Sequence, residues 1–183
     1  MIIGIAGTLG SGKGTVVEYL KKQGFVHYSV SGKLKAILAE RGTPAIRANL
    51  SALADELLQS YEGGILEVMY NQAVADGVEE CIIESIHRVT EADYLRSVGA
   101  VIIGVDADPR RRYERAVQRQ EGEKDNVTYE QFLADMAREE EGRGSGTPHI
   151  RAVLAGADFM ITNDGPLEEL YAHIDAILEQ LAI

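Results

Sequence analysis

Apolar positions along the chain fall into two spacings. Four short runs, Ile2 to Ala6, Cys81-Ile82-Ile83, Val101 to Val105 and Phe159-Met160-Ile161, hold no polar side chain and read as buried strands. Phe25 to Val30 alternates apolar and polar positions, as a short half-buried strand does. Between these runs apolar residues return every three to four positions, the period of an amphipathic helix. Leu50, Leu53, Ala54, Leu57 and Leu58 form one such stripe, and Leu167, Leu170, Tyr171, Ile174, Ile177, Leu178 and Leu181 form another. The pattern and its punctuation predict helices over about Lys13 to Gln23, closed by Gly24, then from Ser31 to Gly42, Arg47 to Tyr61, Gly64 to Asp76, and near Glu91 to Ser97. A further helix opens with Asp108 as N-cap and Pro109 as first residue and runs to Arg119, and another spans about Tyr129 to Glu141. Strands alternating with helices predict an α/β fold, a five-stranded parallel sheet with helices on both faces, in which ligands lie outside the carboxyl ends of the strands. The helices between the second and third strands form an insert over about residues 31–76.

The end of the first strand carries the most specific chemistry. Gly7 to Thr15 reads Gly-Thr-Leu-Gly-Ser-Gly-Lys-Gly-Thr, which fits G-x-x-x-x-G-K between a strand and a helix. Gly7, Gly10, Gly12 and Gly14 let the backbone approach a polyphosphate, so that successive N–H groups, that of Ser11 among them, and the positive end of the next helix meet its oxygens. Lys13 adds a point charge. In the common form of this loop a hydroxyl follows the lysine directly and binds magnesium; here Gly14 takes that place and the hydroxyl belongs to Thr15. Thr15 is thus a candidate for a phosphate or for the metal, which phosphate oxygens and waters would otherwise hold.

Composition narrows the classes. The chain has 183 residues, 45% of them hydrophobic and 26% charged, ordinary values for one globular domain with a sizeable core. With 18 basic against 29 acidic residues the net charge is −11, which argues against a general nucleic-acid or anionic-membrane surface. The single cysteine, Cys81, lies within an apolar run and reads as a core residue. Met1 to Ala6 is too short for a signal-peptide core, and no apolar segment approaches a membrane span, so the cytoplasm is the expected compartment. Residues 142–146, Gly-Arg-Gly-Ser-Gly, follow no strand and read as a linker. The four histidines show no metal-ligand spacing.

At this point the chain resembles the nucleoside monophosphate kinases, adenylate kinase especially, over nearly its whole length. The loop Gly7 to Thr15 is very close to that family's phosphate loop. Ser31-Gly32-Lys33-Leu34-Lys35 is similar to the family's Thr-Gly-Asp-x-Leu-Arg, and Glu84-Ser85-Ile86-His87-Arg88 to its Asp-Gly-Phe-Pro-Arg. The resemblance implies that Glu84 organises magnesium and its waters, and that Arg88, with Ser31, Lys35 and Arg47, binds the phosphate of the acceptor. It implies that Arg115 and Arg119 flank a lid, one near the donor base and one near the transferred phosphate, and that Lys124-Asp125 with Arg138 belongs to a short lid over about residues 120–141. Asn163-Asp164-Gly165, at the end of the last strand, completes the expected nucleotide site.

The expectation is therefore a single kinase domain over residues 1–183 that uses ATP and Mg2+ to phosphorylate a small acceptor, most simply a nucleoside monophosphate, as a monomer or homodimer. Phosphoryl transfer requires positioning and charge neutralisation more than covalent chemistry, which suits a site of one lysine, several arginines, backbone N–H groups and one acid. Dephospho-coenzyme A kinase shares the loop, the sheet and an Asn-containing last turn and is the nearest alternative. A regulatory ATPase would begin with the same loop. A GTP-dependent switch is disfavoured because no Asn-Lys-x-Asp guanine signature occurs.

Overall fold

The computed structural model describes residues 1–119, 128–140 and 149–181, with residues 47, 119 and 138–140 described by their backbone alone. Its five strands are β1 (Ile2–Gly7), β2 (Val26–Tyr28), β3 (Cys81–Ile86), β4 (Val101–Asp106) and β5 (Phe159–Thr162). They form one sheet in the order β2-β3-β1-β4-β5, every pairing parallel. The loop-bearing strand β1 is central.

Side chains alternate across this sheet, so each strand feeds two cores. Ile3, Ile5, Ile82, Ile103, Val105 and Ile161 pack on one face against Val16, Val17 and Leu20 of α1 (Lys13–Lys22) and Leu170, Ile174 and Ile177 of α9 (Leu167–Leu181). Ala6, Cys81, Ile83, Ile86 and Ile102 pack on the other. Their partners there come from α2 (Val30–Glu40), α3 (Arg47–Ser60), α4 (Ile65–Ala75), α5 (Val89–Ser97) and α8 (Ile150–Ala155). Both faces of β1, β3 and β4 are therefore dry, which explains why these strands read as continuous apolar runs. Two further helices, α6 (Pro109–Arg119) and α7 (Tyr129–Glu140), share a small third core of Ala116, Phe132 and Met136 with Leu9 of the loop packed against it.

Three boundaries and one whole helix differ from the sequence expectation. The second strand is only Val26–Tyr28, because Phe25 is drawn into the α1 core and Ser29 already caps α2, its Oγ accepting from Gly32 N at 3.2 Å. Helix α2 accordingly starts at Val30, so Ser31 lies in its first turn. The third strand does not stop at Glu84. The register jumps from Ile5 opposite Glu84 to Ala6 opposite Ile86, and Ser85 is extruded as a bulge at φ 66°, a left-handed backbone in a non-glycine residue. That extra residue is why Ile83 and Ile86, three apart, return to the same core. Helix α8 was not foreseen at all. The expected linker at residues 142–146 and residues 120–127 and 141 of the expected lid, Lys124-Asp125 among them, lie outside the described residues. Asp108 does cap α6 as expected, its Oδ1 accepting from Arg110 N at 2.9 Å.

Candidate active site

The phosphate loop joins β1 to α1 and takes its shape from glycines in left-handed conformations. Gly10 (φ 76°) and Gly12 (φ 100°) adopt backbone angles that L residues disfavour, and neither has room for a side chain. A Cβ on Gly10 would strike the backbone of Arg112, and one on Gly12 would strike Asn163 Nδ2. Gly12 is also the N-cap of α1, so the first turn's N–H groups point into the loop. The Lys13 amine donates to Gly7 O at 2.7 Å and Thr8 O at 2.8 Å, folded over the loop. Ser11 is wholly buried, and its Oγ has no hydrogen-bond partner among the described residues. A cradle closed to side chains, an orphaned buried hydroxyl and a lysine at the rim fit a polyphosphate.

Neighbouring elements fix this cradle from two sides. From β5, the buried Asn163 donates through Nδ2 to Ser11 O at 2.8 Å, and Arg115 of α6 donates through Nη2 to Asn163 O at 2.8 Å. From β4, Asp106 accepts from the Thr8 hydroxyl at 2.7 Å, while its other oxygen accepts from Arg151 of α8 at 2.7 Å. Arg112, 0% exposed, places Nη1 3.4 Å from Asp106 and donates through Nη2 to Met136 Sδ of α7 at 3.0 Å. Burial pushes the Asp106 carboxyl up, but the Thr8 hydroxyl, the Ala107 N–H and the two guanidiniums outweigh it and hold the group below its ordinary range.

On the opposite flank of β1, Glu84 stands on β3 opposite Ile5, two residues before the strand ends. His27 Nε2 of β2 approaches its Oε1 at 3.2 Å, an ion-pair distance. This imidazole first, then the charges of Lys13 and His87, outweigh desolvation and keep Glu84 ionised below the usual carboxylate range. Among the described residues no three His, Cys, Asp or Glu side chains converge as metal ligands. A magnesium ion here would thus take most of its oxygens from the nucleotide and water, with Glu84 and Thr15 as the protein's contributors.

The sequence-expected residues separate into groups. Lys13, the loop glycines, Ser11, Thr15 and Glu84 gather at the ends of β1 and β3. Arg115 and Asn163 both donate to the Ser11 carbonyl of the loop, at 3.5 and 2.8 Å, and Asp164 accepts from Asp108 N at 2.7 Å, bracing the turn that starts α6. Gly165 sits beside Glu169. Ser31 and Lys35 are exposed on α2, and Lys35 forms no ion pair among the described residues. Arg88 is nine-tenths buried, bound to Glu91 and Asp55. The side chains of Arg47, Arg119 and Arg138 lie outside the described atoms. Thr8, His27, Asp106, Arg112 and Arg151 did not stand out as site residues in the sequence. Only the β-register and the packing of α6 and α8 bring them to the loop.

The profile of the AAA_18 family, described as an AAA domain, matches residues 3–139. The chain belongs to this family. It is 29% identical over 185 residues to a UPF0200 protein of Hyperthermus butylicus, covering 99% of this chain and 95% of that one. Among solved structures it resembles the TT1252 protein of Thermus thermophilus (21% identity, TM-score 0.59, 99% and 97% covered). It also resembles a shikimate kinase of Aquifex aeolicus (16% identity, TM-score 0.56, 100% and 98% covered). The fold is that of the P-loop kinases. No helix among the described residues is long and apolar enough to cross a membrane.

Proposed function

We propose that the protein is an ATP-dependent phosphotransferase that moves the γ-phosphoryl group to a small acceptor, with a nucleoside monophosphate as the first candidate. The observation that carries this reading is the preformed loop. Its left-handed glycines and the buried Ser11 hydroxyl lead into α1, whose first residue is Lys13, with Glu84 on the adjacent strand. Bound ATP with Mg2+ supplies the phosphoryl group. The loop N–H groups and Lys13 neutralise the charge that develops between the transferred and leaving groups, and Glu84 and Thr15 orient the hydrated metal. Arg115 and Arg119 come from α6, which leads into the proposed lid, residues 120–141, and Arg138 from α7 within it; closure of the lid would exclude water. Asn163, Asp164 and Gly165 border the donor side, and Ser31, Lys35, Arg47 and Arg88 are the acceptor ligands in this reading.

A second reading, transfer to a hydroxyl rather than to a phosphate, has two observations in its favour. Arg88 already has two carboxylate partners, and the shikimate kinase that shares the fold is named for an acceptor of another chemistry. A panel separates the two: ATP and Mg2+ with each ribo- and deoxynucleoside monophosphate, with dephospho-coenzyme A and with shikimate, following ADP release and acceptor phosphorylation. Phosphorylation of a monophosphate is expected. Turnover of dephospho-coenzyme A or shikimate alone moves the assignment to the second reading, and ATP hydrolysis indifferent to every acceptor points to a regulatory ATPase.

A further inference from the structure

Arg88 N-caps α5 with its guanidinium held by two carboxylates of opposite character. Its Nη1 donates to Glu91 Oε1 at 3.0 Å, and the Glu91 side chain is 3% exposed. The other oxygen of Glu91 is taken as well, accepting from the backbone N–H groups of His87 at 2.9 Å and Arg88 at 3.0 Å. Glu91 is therefore a permanent partner, locked into the cap of its own helix, and it fixes the plane and direction of the guanidinium. The Nη2 group donates in a different direction, to Asp55 Oδ1 on α3 at 2.7 Å, and that side chain is 64% exposed. An ion pair whose acid stands in water contributes little stability, because water and salt compete for both members. A planar guanidinium can keep one partner while exchanging the other, which an ammonium does less well.

We infer that Asp55 is the removable occupant of an anion site, and that a phosphate monoester displaces it from Arg88. A phosphate oxygen takes the place of Oδ1 at Nη2, Glu91 keeps Nη1, and the tie between α3 and α5 opens as the acceptor enters. Asp55 would then set the threshold for acceptors. A dianionic phosphate outcompetes one exposed carboxylate, whereas a neutral polyol brings no charge with which to do so. The inference rests on the reading of Arg88 as the acceptor-phosphate ligand, but it specifies a residue and an exchange that this reading does not contain.

The test compares the wild type with Asp55→Asn, which keeps the size of the side chain and removes its charge. Inorganic phosphate, AMP and CMP are titrated calorimetrically at low salt without ATP. Removing the competitor is expected to tighten binding of phosphate and of at least one monophosphate by roughly three- to tenfold. The gain should vanish in Asp55→Asn/Arg88→Lys, where a cation still faces buried Glu91 and the fold is kept. Equal or weaker binding in folded Asp55→Asn overturns the inference, as does a gain that survives the Arg88→Lys change. The acceptor panel keeps the two claims apart. If no monophosphate is phosphorylated but Asp55→Asn still tightens phosphate through Arg88, the anion site stands and the substrate reading falls. If a monophosphate is phosphorylated while Asp55→Asn leaves its affinity and KM unchanged, the substrate reading stands and the exchange falls.

Discussion

Arg112 and Arg88 are both buried and paired with acids, and they differ in what must move to release them. Arg112 lies against Asp106, a half-buried acid that also ties Thr8 of the phosphate loop and Arg151 of α8, and it is covered by Met136 of α7. Nothing in that cluster opens without disturbing β4, the loop and three helices. Arg88 keeps one buried acid and shares the second with solvent. The donor end is thus preorganised: its loop is held in shape by Asn163, Arg115 and Asp106 before any nucleotide arrives, so little ordering remains to be done on binding. The insert side is held by a contact whose acid stands in solvent, and in the proposed reading a charged acceptor replaces it and frees α3.

Charge removal at the two acids sharpens this contrast. Asp106→Asn deprives buried Arg112 of its counter-charge and should cost about 2–3 kcal/mol, seen as a fall in Tm of about 5–10 °C. The same change at Asp55 should cost under about 1 kcal/mol. Comparable losses at both positions would erase the distinction. The pH dependence has a defined sign. Asp106 is held below its ordinary 3.8 in the folded protein, so the unfolded chain binds the proton more readily. Its contribution to stability is complete above that ordinary value and is lost as pH falls through the lower folded one. The stability gap between wild type and Asp106→Asn should therefore narrow as the solution is taken from about pH 5 to pH 3, and a gap that widens on acidification would contradict the assigned role.

The smallest effect is expected inside the loop itself, at the residue that departs from the common pattern. A Cβ on Gly14 would meet nothing within 4 Å, unlike one on Gly10 or Gly12. Gly14→Ser should leave Tm within about 2 °C of wild type, since it enters open space in the first turn of α1 and replaces a poor helix former. A marked loss of folding would show that the loop is tighter than its geometry implies.

How much of this was legible in the sequence depends on whether a residue's partners lie near it in the chain. The strands were legible because burial on both faces requires short apolar runs, and the loop because its glycines, lysine and flanking strand and helix are consecutive. Asp106 directly follows the apolar run Val101 to Val105, but its partners Thr8 and Arg151 stand 98 and 45 residues away, and the second belongs to a six-residue helix too short to show a period. Arg112 sits in a run of arginines that resembles a solvated face. It is buried because α7 closes over α6, a tertiary fact with no local signature. The continuation of β3 to Ile86 needed a left-handed backbone at Ser85, where no glycine announces it. His27 was read only as one position of an alternating strand, and its approach to Glu84 follows from the parallel pairing of β2 with β3.

The central claim is that the loop between β1 and α1 carries phosphoryl transfer, and Lys13→Ala tests it most directly when Tm and steady-state turnover are measured on the same preparation with ATP, Mg2+ and the acceptor identified by the panel. The lysine is half-buried at the rim of the loop, and its amine donates to the carbonyls of Gly7 and Thr8. The predicted result is a melting temperature close to wild type with turnover reduced roughly a hundredfold or more, as for loss of one preorganised donor. Near-normal turnover in a folded Lys13→Ala protein would contradict the account.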